Sequence, residues 1–231
     1  MAKIHTIKLG MVNSFLIEDN GYILVDTGMN KNPKRILNKL KDLNVLPEQI
    51  NLIILTHNHE DHISGLAVLK EKTKAKVLIH KLDYMTLMAE EADEIMPMTN
   101  LAKIIFRFRN FLDRLNKQEK SDSSINRCEF DIIIEDDFDL NPFGVDGKVL
   151  HTPGHSKGSV SIIVGTKAII GDNLMAMLPW SKPSRPIVAY DMAEIKNSMI
   201  RLIEMKVKSF YLSHGSHYDI HEIKKAIETL K

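Results

Sequence analysis

A wholly apolar run, Leu52-Ile53-Ile54-Leu55, leads directly into Thr56-His57-Asn58-His59-Glu60-Asp61-His62. The run has the length of one strand, and with no polar side it must be covered on both faces. A chain built around it therefore needs packed layers above and below a sheet. At the end of the run, three imidazoles and the Asp61 carboxylate fall within six residues. The rigid end of a strand suits metal ligands, whose geometry tolerates little slack. Imidazole nitrogen and carboxylate oxygen fit zinc, iron or manganese, and a single ion cannot comfortably take every group present. Two ions can.

Thiolates do not compete for this role. Cys128 is the only cysteine, so no intrachain disulfide can form and no thiolate-rich site is available. An inert thiol is expected there. The 231 residues suit one α/β domain, and Lys plus Arg total 31 against 30 acidic residues. That balance lacks the basic excess of nucleic-acid and membrane-surface proteins, so neither partner is expected. Met1 to Asn20 has no apolar stretch of the kind a secretory signal carries, and no long apolar run offers a membrane span. A cytoplasmic protein is expected, free to form a homo-oligomer.

Along the chain, β-type runs occur at Ile4 to Leu9, Ser14 to Ile17 and Tyr22 to Val25, with Asn20-Gly21 turning the last two into a hairpin. A helix is expected from Pro33 to about Leu43, where Ile36, Leu37, Leu40 and Leu43 keep helical spacing. Helical character resumes at Ile63 to Lys70, and Lys76 to Ile79 reads as a strand. From about 81 to 127 the alternation breaks. A helix over Leu82 to Ala92 and a longer amphipathic one through Leu101, Ile104, Ile105, Phe108, Phe111, Leu112 and Leu115 predict a helical insertion within a single domain over 1–231. Strands return at Asp131 to Ile134, Lys148 to His151, Ser159 to Val164 and Ala168 to Ile170. A Pro-rich loop spans Leu178 to Pro186. The end reads as helix (Met192 to Met205), strand (Ser209 to Leu212), loop and helix (Ile220 to Leu230). Two packed sheets with helices outside follow from this order.

Further ligand candidates recur just past later strands: Thr152-Pro153-Gly154-His155-Ser156, Gly171-Asp172 and Ser213-His214-Gly215. With Val25-Asp26-Thr27-Gly28 and the His57 to His62 cluster with Gly65, these five motifs in order resemble the metallo-β-lactamase-fold superfamily. The resemblance covers nearly the whole chain outside the insertion. It implies an αββα four-layer sandwich with the metals at one sheet edge. It also implies His57, His59 and His155 on a first metal, Asp61, His62 and His214 on a second, and Asp172 bridging both. Asp26 would orient ligands from behind, although it could also simply cap a turn. His5, His80, His151, His217 and His221 match no ligand position, and ordinary structural roles are expected for them.

A dinuclear site lowers the pKa of bound water from about 15.7 towards 7, which makes hydroxide available at neutral pH. The expected activity is hydrolysis of a small ester, lactone, thioester or phosphoester by metal-bound hydroxide, with Asp61 shuttling a proton. Two divalent ions, zinc first and iron or manganese otherwise, are the expected cofactors. The alternatives are a non-haem iron oxidoreductase resembling sulfur dioxygenases, and a non-catalytic metal-binding scaffold. Met177 and Trp180, with Tyr84, Met85, Met88, Met96, Met98, Phe106, Phe108 and Leu178, offer an apolar substrate wall, or else pack together as a helical cap or a dimer contact. Lys182 and Arg185 are candidates to hold a substrate carboxylate or phosphate. Within the superfamily, Met175 stands where acyl-homoserine lactonases have a tyrosine, and His59 stands where flavodiiron proteins have glutamate.

Overall fold

The computed structural model describes residues 2–29, 32–89, 96–97, 128–178 and 180–230. Fourteen strands are described: β1 (Lys3–Lys8), β2 (Asn13–Glu18), β3 (Tyr22–Val25), β4 (Ile50–Ile54), β5 (Lys76–His80), β6 (Met96–Pro97), β7 (Ile132–Ile134), β8 (Phe138–Asp139), β9 (Gly147–His151), β10 (Val160–Val164), β11 (Lys167–Ile169), β12 (Val188–Ala189), β13 (Ser209–Tyr211) and β14 (His217–Asp219). The helices are α1 (Pro33–Asp42), α2 (Glu60–Ile63), α3 (Leu66–Thr73), α4 (Lys81–Ala89), α5 (Met192–Glu204) and α6 (Ile220–Glu228). One sheet has the order β1-β2-β3-β4-β5-β7 and the other β14-β13-β11-β10-β9-β8, while β12 and β6 form a small ribbon.

Side-chain alternation builds the layers. Phe15, Ile17, Leu52 and Ile54 from the first sheet meet Val149, Val160, Ile162 and Ile169 from the second in one core between the sheets. Their neighbours in sequence point the other way. Leu16, Ile53 and Leu55 pack with Ile36, Leu40, Leu66 and Leu69 of α1 and α3. On the far side, Ile163, Ala168 and Phe210 pack with Ile195, Met199, Leu202 and Ile223 of α5 and α6. Each fully buried aliphatic side chain contributes about 2 kcal/mol. The continuous apolar runs are thus doubly buried strands, and the result is the expected αββα sandwich.

Parallel pairing decides where the loops go. β3, β4, β5 and β7 run parallel, so β3 and β4 end at the same edge. β11 and β13 are also parallel, and β9 runs in their direction because both β9 and β11 pair antiparallel with β10. Their C-terminal loops therefore leave the second sheet at one edge too.

Some details differ from expectation. The helix expected over Ile63 to Lys70 is two helices, broken at Ser64-Gly65. The Gly65 N–H donates to Gly28 O at 2.9 Å instead of continuing the helix, and a Cβ at Gly65 would run into Thr27 O. The loop expected after Leu212 contains β14, because the chain folds back there with Leu212 N–H on Ser216 O. In the insertion, α4 and β6 are described, and the longer helix through Leu101 to Leu115 lies outside the described residues. No helix among the described residues is long and apolar enough to cross a membrane.

His80 and His151 take a structural role. Their rings stack at 3.9 Å with 14° between planes. His80 Nε2–H donates to Glu135 O, and Nδ1 accepts the Leu82 N–H at the start of α4, which fixes a neutral ring. Burial, and then the neighbouring His151, push its pKa down to about 4. An unfolded histidine titrates near 6.5, so between these values the unfolded chain binds a proton that the folded chain refuses. Stability then falls as pH drops from 6.5 to 4, by about 3 kcal/mol for this group. The stability advantage of the parent over His80→Asn is expected to shrink by that amount between pH 7 and pH 4. Urea unfolding of both chelated proteins measures it, and parallel pH curves would refute the assignment.

Candidate metal centre

The segments after β4, β9, β11 and β13 bring seven side chains together, and the loop after β3 sets Asp26 behind them. His57, His59 and His155 form one group, Asp61, His62 and His214 another, and His57, His62 and Asp172 a third between them, with the ligating atoms of each group within 4.8 Å of one another. Asp172 is central. Its Oδ2 lies 3.3 Å from His214 Nε2, 3.4 Å from His62 Nε2, 3.7 Å from His155 Nε2 and 3.9 Å from His57 Nε2.

Four imidazoles commit Nδ1 elsewhere and so turn Nε2 inward. His155 Nδ1–H donates to Val188 O at 2.9 Å, and His214 Nδ1–H to Met11 O at 2.9 Å. His62 Nδ1–H donates to Asp26 Oδ2 at 2.8 Å. The Thr56 hydroxyl also donates to Asp26 Oδ2, at 2.8 Å, and its oxygen accepts from His57 Nδ1 at 3.0 Å. Such partners select the tautomer and aim of a ligating ring. Asp26 does more than cap a turn: it is fully buried, takes the Thr56 N–H on its other oxygen, and serves a histidine of each group.

The donor set fits a metal. His57 Nε2, His62 Nε2 and Asp172 Oδ1 are buried without a hydrogen-bond partner, each costing about 1–3 kcal/mol unless something at the centre compensates. His59 Nδ1 and His155 Nε2 lie 2.9 Å apart. Two nitrogens of one tetrahedral zinc are separated by about 3.3 Å, so this spacing needs little adjustment. The protonation pattern points the same way. Burial, and then the neighbouring imidazoles, hold His57 well below its usual range, and burial foremost takes His155 down to about 3. Burial also opposes charge on His62 and His214, but carboxylates together outweigh it, Asp172 and Asp26 leaving His62 well above its usual range and Asp172 and Asp61 pushing His214 up to about 10. A cation at the centre replaces those protons.

The centre opens to solvent on one side. His57, His62 and His155 are essentially inaccessible, whereas the Asp61 side chain is 36% exposed and its Oδ2 lies 3.1 Å from His214 Nε2. Burial raises the Asp61 pKa, but the His214 hydrogen bond together with the nearby His62 and His214 imidazoles keeps it below the usual value. Met11, whose carbonyl takes the His214 ring proton, is 75% exposed. Ala176 N–H donates to His214 O, and Met177, Leu178 and Trp180 beyond it are exposed. Lys182 and Arg185 are exposed in the following loop, and among the described residues no hydrogen bond joins either to the seven-residue cluster. Met98, Phe106 and Phe108 lie outside the described residues.

Of the residues that support the ligand loops, Asn13 and Ser14 carried no recognisable sequence signal, whereas Thr27 and Gly154 lie within the motifs quoted above. Asn13 N–H donates to Ser213 O, and its side-chain amide donates to Leu212 O and Gly215 O, holding the His214 turn. The Ser14 hydroxyl is shared between Val25 O and Asp26 O, and Thr27 Oγ1–H donates to His62 O. Gly154, at φ +134°, lets its carbonyl accept from Tyr190 and Asp191 beside His155.

A family model for the metallo-β-lactamase superfamily matches residues 7–214. The metallo-β-lactamase fold-containing protein ST1585 of Sulfurisphaera tokodaii is 27% identical over 199 residues, 84% of this chain and 68% of that protein. The probable metallo-hydrolase MJ0888 of Methanocaldococcus jannaschii is 27% identical over 210 residues, 88% of this chain and 87% of that one. Among solved structures, the peroxy diiron species of the chemotaxis sensor ODP is similar in fold, with a TM-score of 0.66 and 16% identity over 99% of this chain and 89% of that chain. With the five motifs converging at one edge of an αββα sandwich, the chain belongs to the metallo-β-lactamase superfamily.

Proposed function

We propose that the protein is a dinuclear metal-dependent hydrolase of a small ester, lactone, thioester or phosphoester. The observation that carries this reading is the position of Asp172, with one carboxylate oxygen facing imidazoles of both three-residue groups. His57, His59 and His155 would hold one ion, Asp61, His62 and His214 the other, with Asp172 between them; zinc is the expected metal. When bound, such a pair supplies Lewis acidity and a water of lowered pKa. The chain's own residues supply the rest. Asp26 keeps His62, and through Thr56 His57, in the ligating tautomer. Asp61, the carboxylate nearest solvent, is placed to accept a proton from the attacking water and return it to the leaving group. Met11, whose carbonyl bonds the His214 ring, and Met177, next to the residue that bonds His214 O, are exposed and favour a substrate with an apolar portion next to the scissile bond, with Leu178 and Trp180 exposed further along the same loop.

The test compares metal-loaded and chelator-treated protein on aryl esters, lactones, thioesters and phosphodiesters, with metal content measured in parallel. Turnover of at least one class is expected, lost on chelation and restored by added metal. Two bound ions with no hydrolysis across the panel would overturn the reading. Iron with thiol-dependent oxygen uptake would instead support an oxidoreductase.

A further inference from the structure

Asp83, in the first turn of α4, is a fully buried carboxylate outside the seven-residue cluster. Its Oδ2 accepts the Asn58 N–H at 3.0 Å and the Ser156 hydroxyl at 2.8 Å, and its Oδ1 accepts the Gly158 N–H at 2.7 Å. Asn58 sits between His57 and His59, and Ser156 follows His155. One side chain therefore ties together the two loops that carry all three imidazoles of the first group. The second group is anchored differently, through Asn13, Thr27 and Asp26. Close approach is built in at Gly158, where a Cβ would lie 2.5 Å from Asp83 Oδ1. The Ser159 hydroxyl accepts the Ser156 N–H at 2.9 Å and lies 2.8 Å from Ser156 Oγ, which leaves the Ser156 hydroxyl little freedom to turn away.

We infer that Asp83 is a positioning residue that sets the spacing between the His57–His59 loop and His155, and so tunes metal affinity at the first group selectively over the second. The physical reason is that affinity depends on donor atoms being held in place before the ion arrives, and outer partners of ligands are typically worth about 10–100-fold in affinity. Asparagine in place of Asp83 keeps the shape but turns one acceptor into a donor, which faces either the Gly158 N–H or the Asn58 N–H and Ser156 hydroxyl, so in either orientation the clasp on the two loops is weakened.

The inference rests on the metal-site reading above, and the experiment separates the two. Apo protein is titrated with Co²⁺, read by visible absorption, in two backgrounds: His214→Ala, which leaves the first group, and His59→Ala, which leaves the second. Asp83→Asn is expected to weaken Co²⁺ binding about 10–100-fold in the first background and to leave the second within about twofold. Equal weakening in both backgrounds, or none in the first, overturns the positioning role. If neither background binds Co²⁺ before Asp83 is changed, the metal-site reading itself fails. Circular dichroism of each apo variant reports folding. Should Asp83→Asn not fold, Ser156→Ala, which removes the Ser156 bond to Asp83, is expected to shift the first background alone, in the same direction and by a smaller factor.

Discussion

Asp172→Ala is expected to abolish binding of both metal ions together and to lower hydrolysis by about 10³-fold or more. The magnitude follows because a metal supplies several kcal/mol of transition-state stabilisation, and about 4 kcal/mol corresponds to a thousandfold in rate. The coupling follows from position. The same Oδ2 lies 3.3–3.4 Å from the inward nitrogens of His214 and His62 and 3.7–3.9 Å from those of His155 and His57. Removing it leaves four imidazoles facing one another with only Asp61, on the solvent side of the second group, to offset two incoming cations. His214→Ala should behave differently, keeping the first group intact and about one ion per chain. Elemental analysis after gel filtration separates the cases. An Asp172→Ala protein that retains two ions and the parent rate would remove the basis for the bridging assignment.

Substitution of Asp26 has the second largest expected effect, and it divides into stability and affinity. Asp26→Ala leaves the Thr56 N–H, the Thr56 hydroxyl and the His62 Nδ1–H without their buried acceptor. At about 1–3 kcal/mol for each unmet group, partly relieved by rearrangement, a loss of about 4 kcal/mol is expected in denaturant unfolding of the apo protein. The backbone adds to this, since Asp26 has φ +60° and alanine is strained there by about 1 kcal/mol. Asp26→Asn isolates the second effect. Asparagine tolerates the same backbone, and its oxygen can keep the Thr56 N–H, which forces its NH2 toward Thr56 Oγ1 and His62. Both His62 and, through the turned hydroxyl, His57 are then driven to carry the proton on the nitrogen that faces the centre. Metal affinity should fall about 10–100-fold with a smaller loss of stability than in Asp26→Ala. Parent-like affinity in Asp26→Asn would show that the carboxylate does not control the tautomers.

Local features of the chain were enough to place the candidate ligands and the layers. Ligands at i, i+2, i+4 and i+5 after an apolar run declare themselves in sequence, because one short turn carries them all. The αββα arrangement was legible for a similar reason: a strand such as Leu52 to Leu55, apolar at every position, needs cover on both faces, and the helices that cover it show their own spacing at Ile36 and Leu40. The break at Gly65 was not legible, because it depends on a carbonyl from the loop after β3 occupying the space a side chain would need.

What the sequence alone determined is therefore which residues are candidate metal ligands and what kind of sandwich presents them. Tertiary structure decided how they are held: Asn13 reaching the Leu212–Gly215 turn, Asp26 steering His62, Asp83 clasping two loops, His80 stacked on His151. The physical reason is the range of the interactions. Burial and periodicity repeat every two to four residues and leave a pattern along the chain. A hydrogen bond from a buried side chain to a backbone group far away in sequence has no period, and it exists only once the sheets have brought the two together.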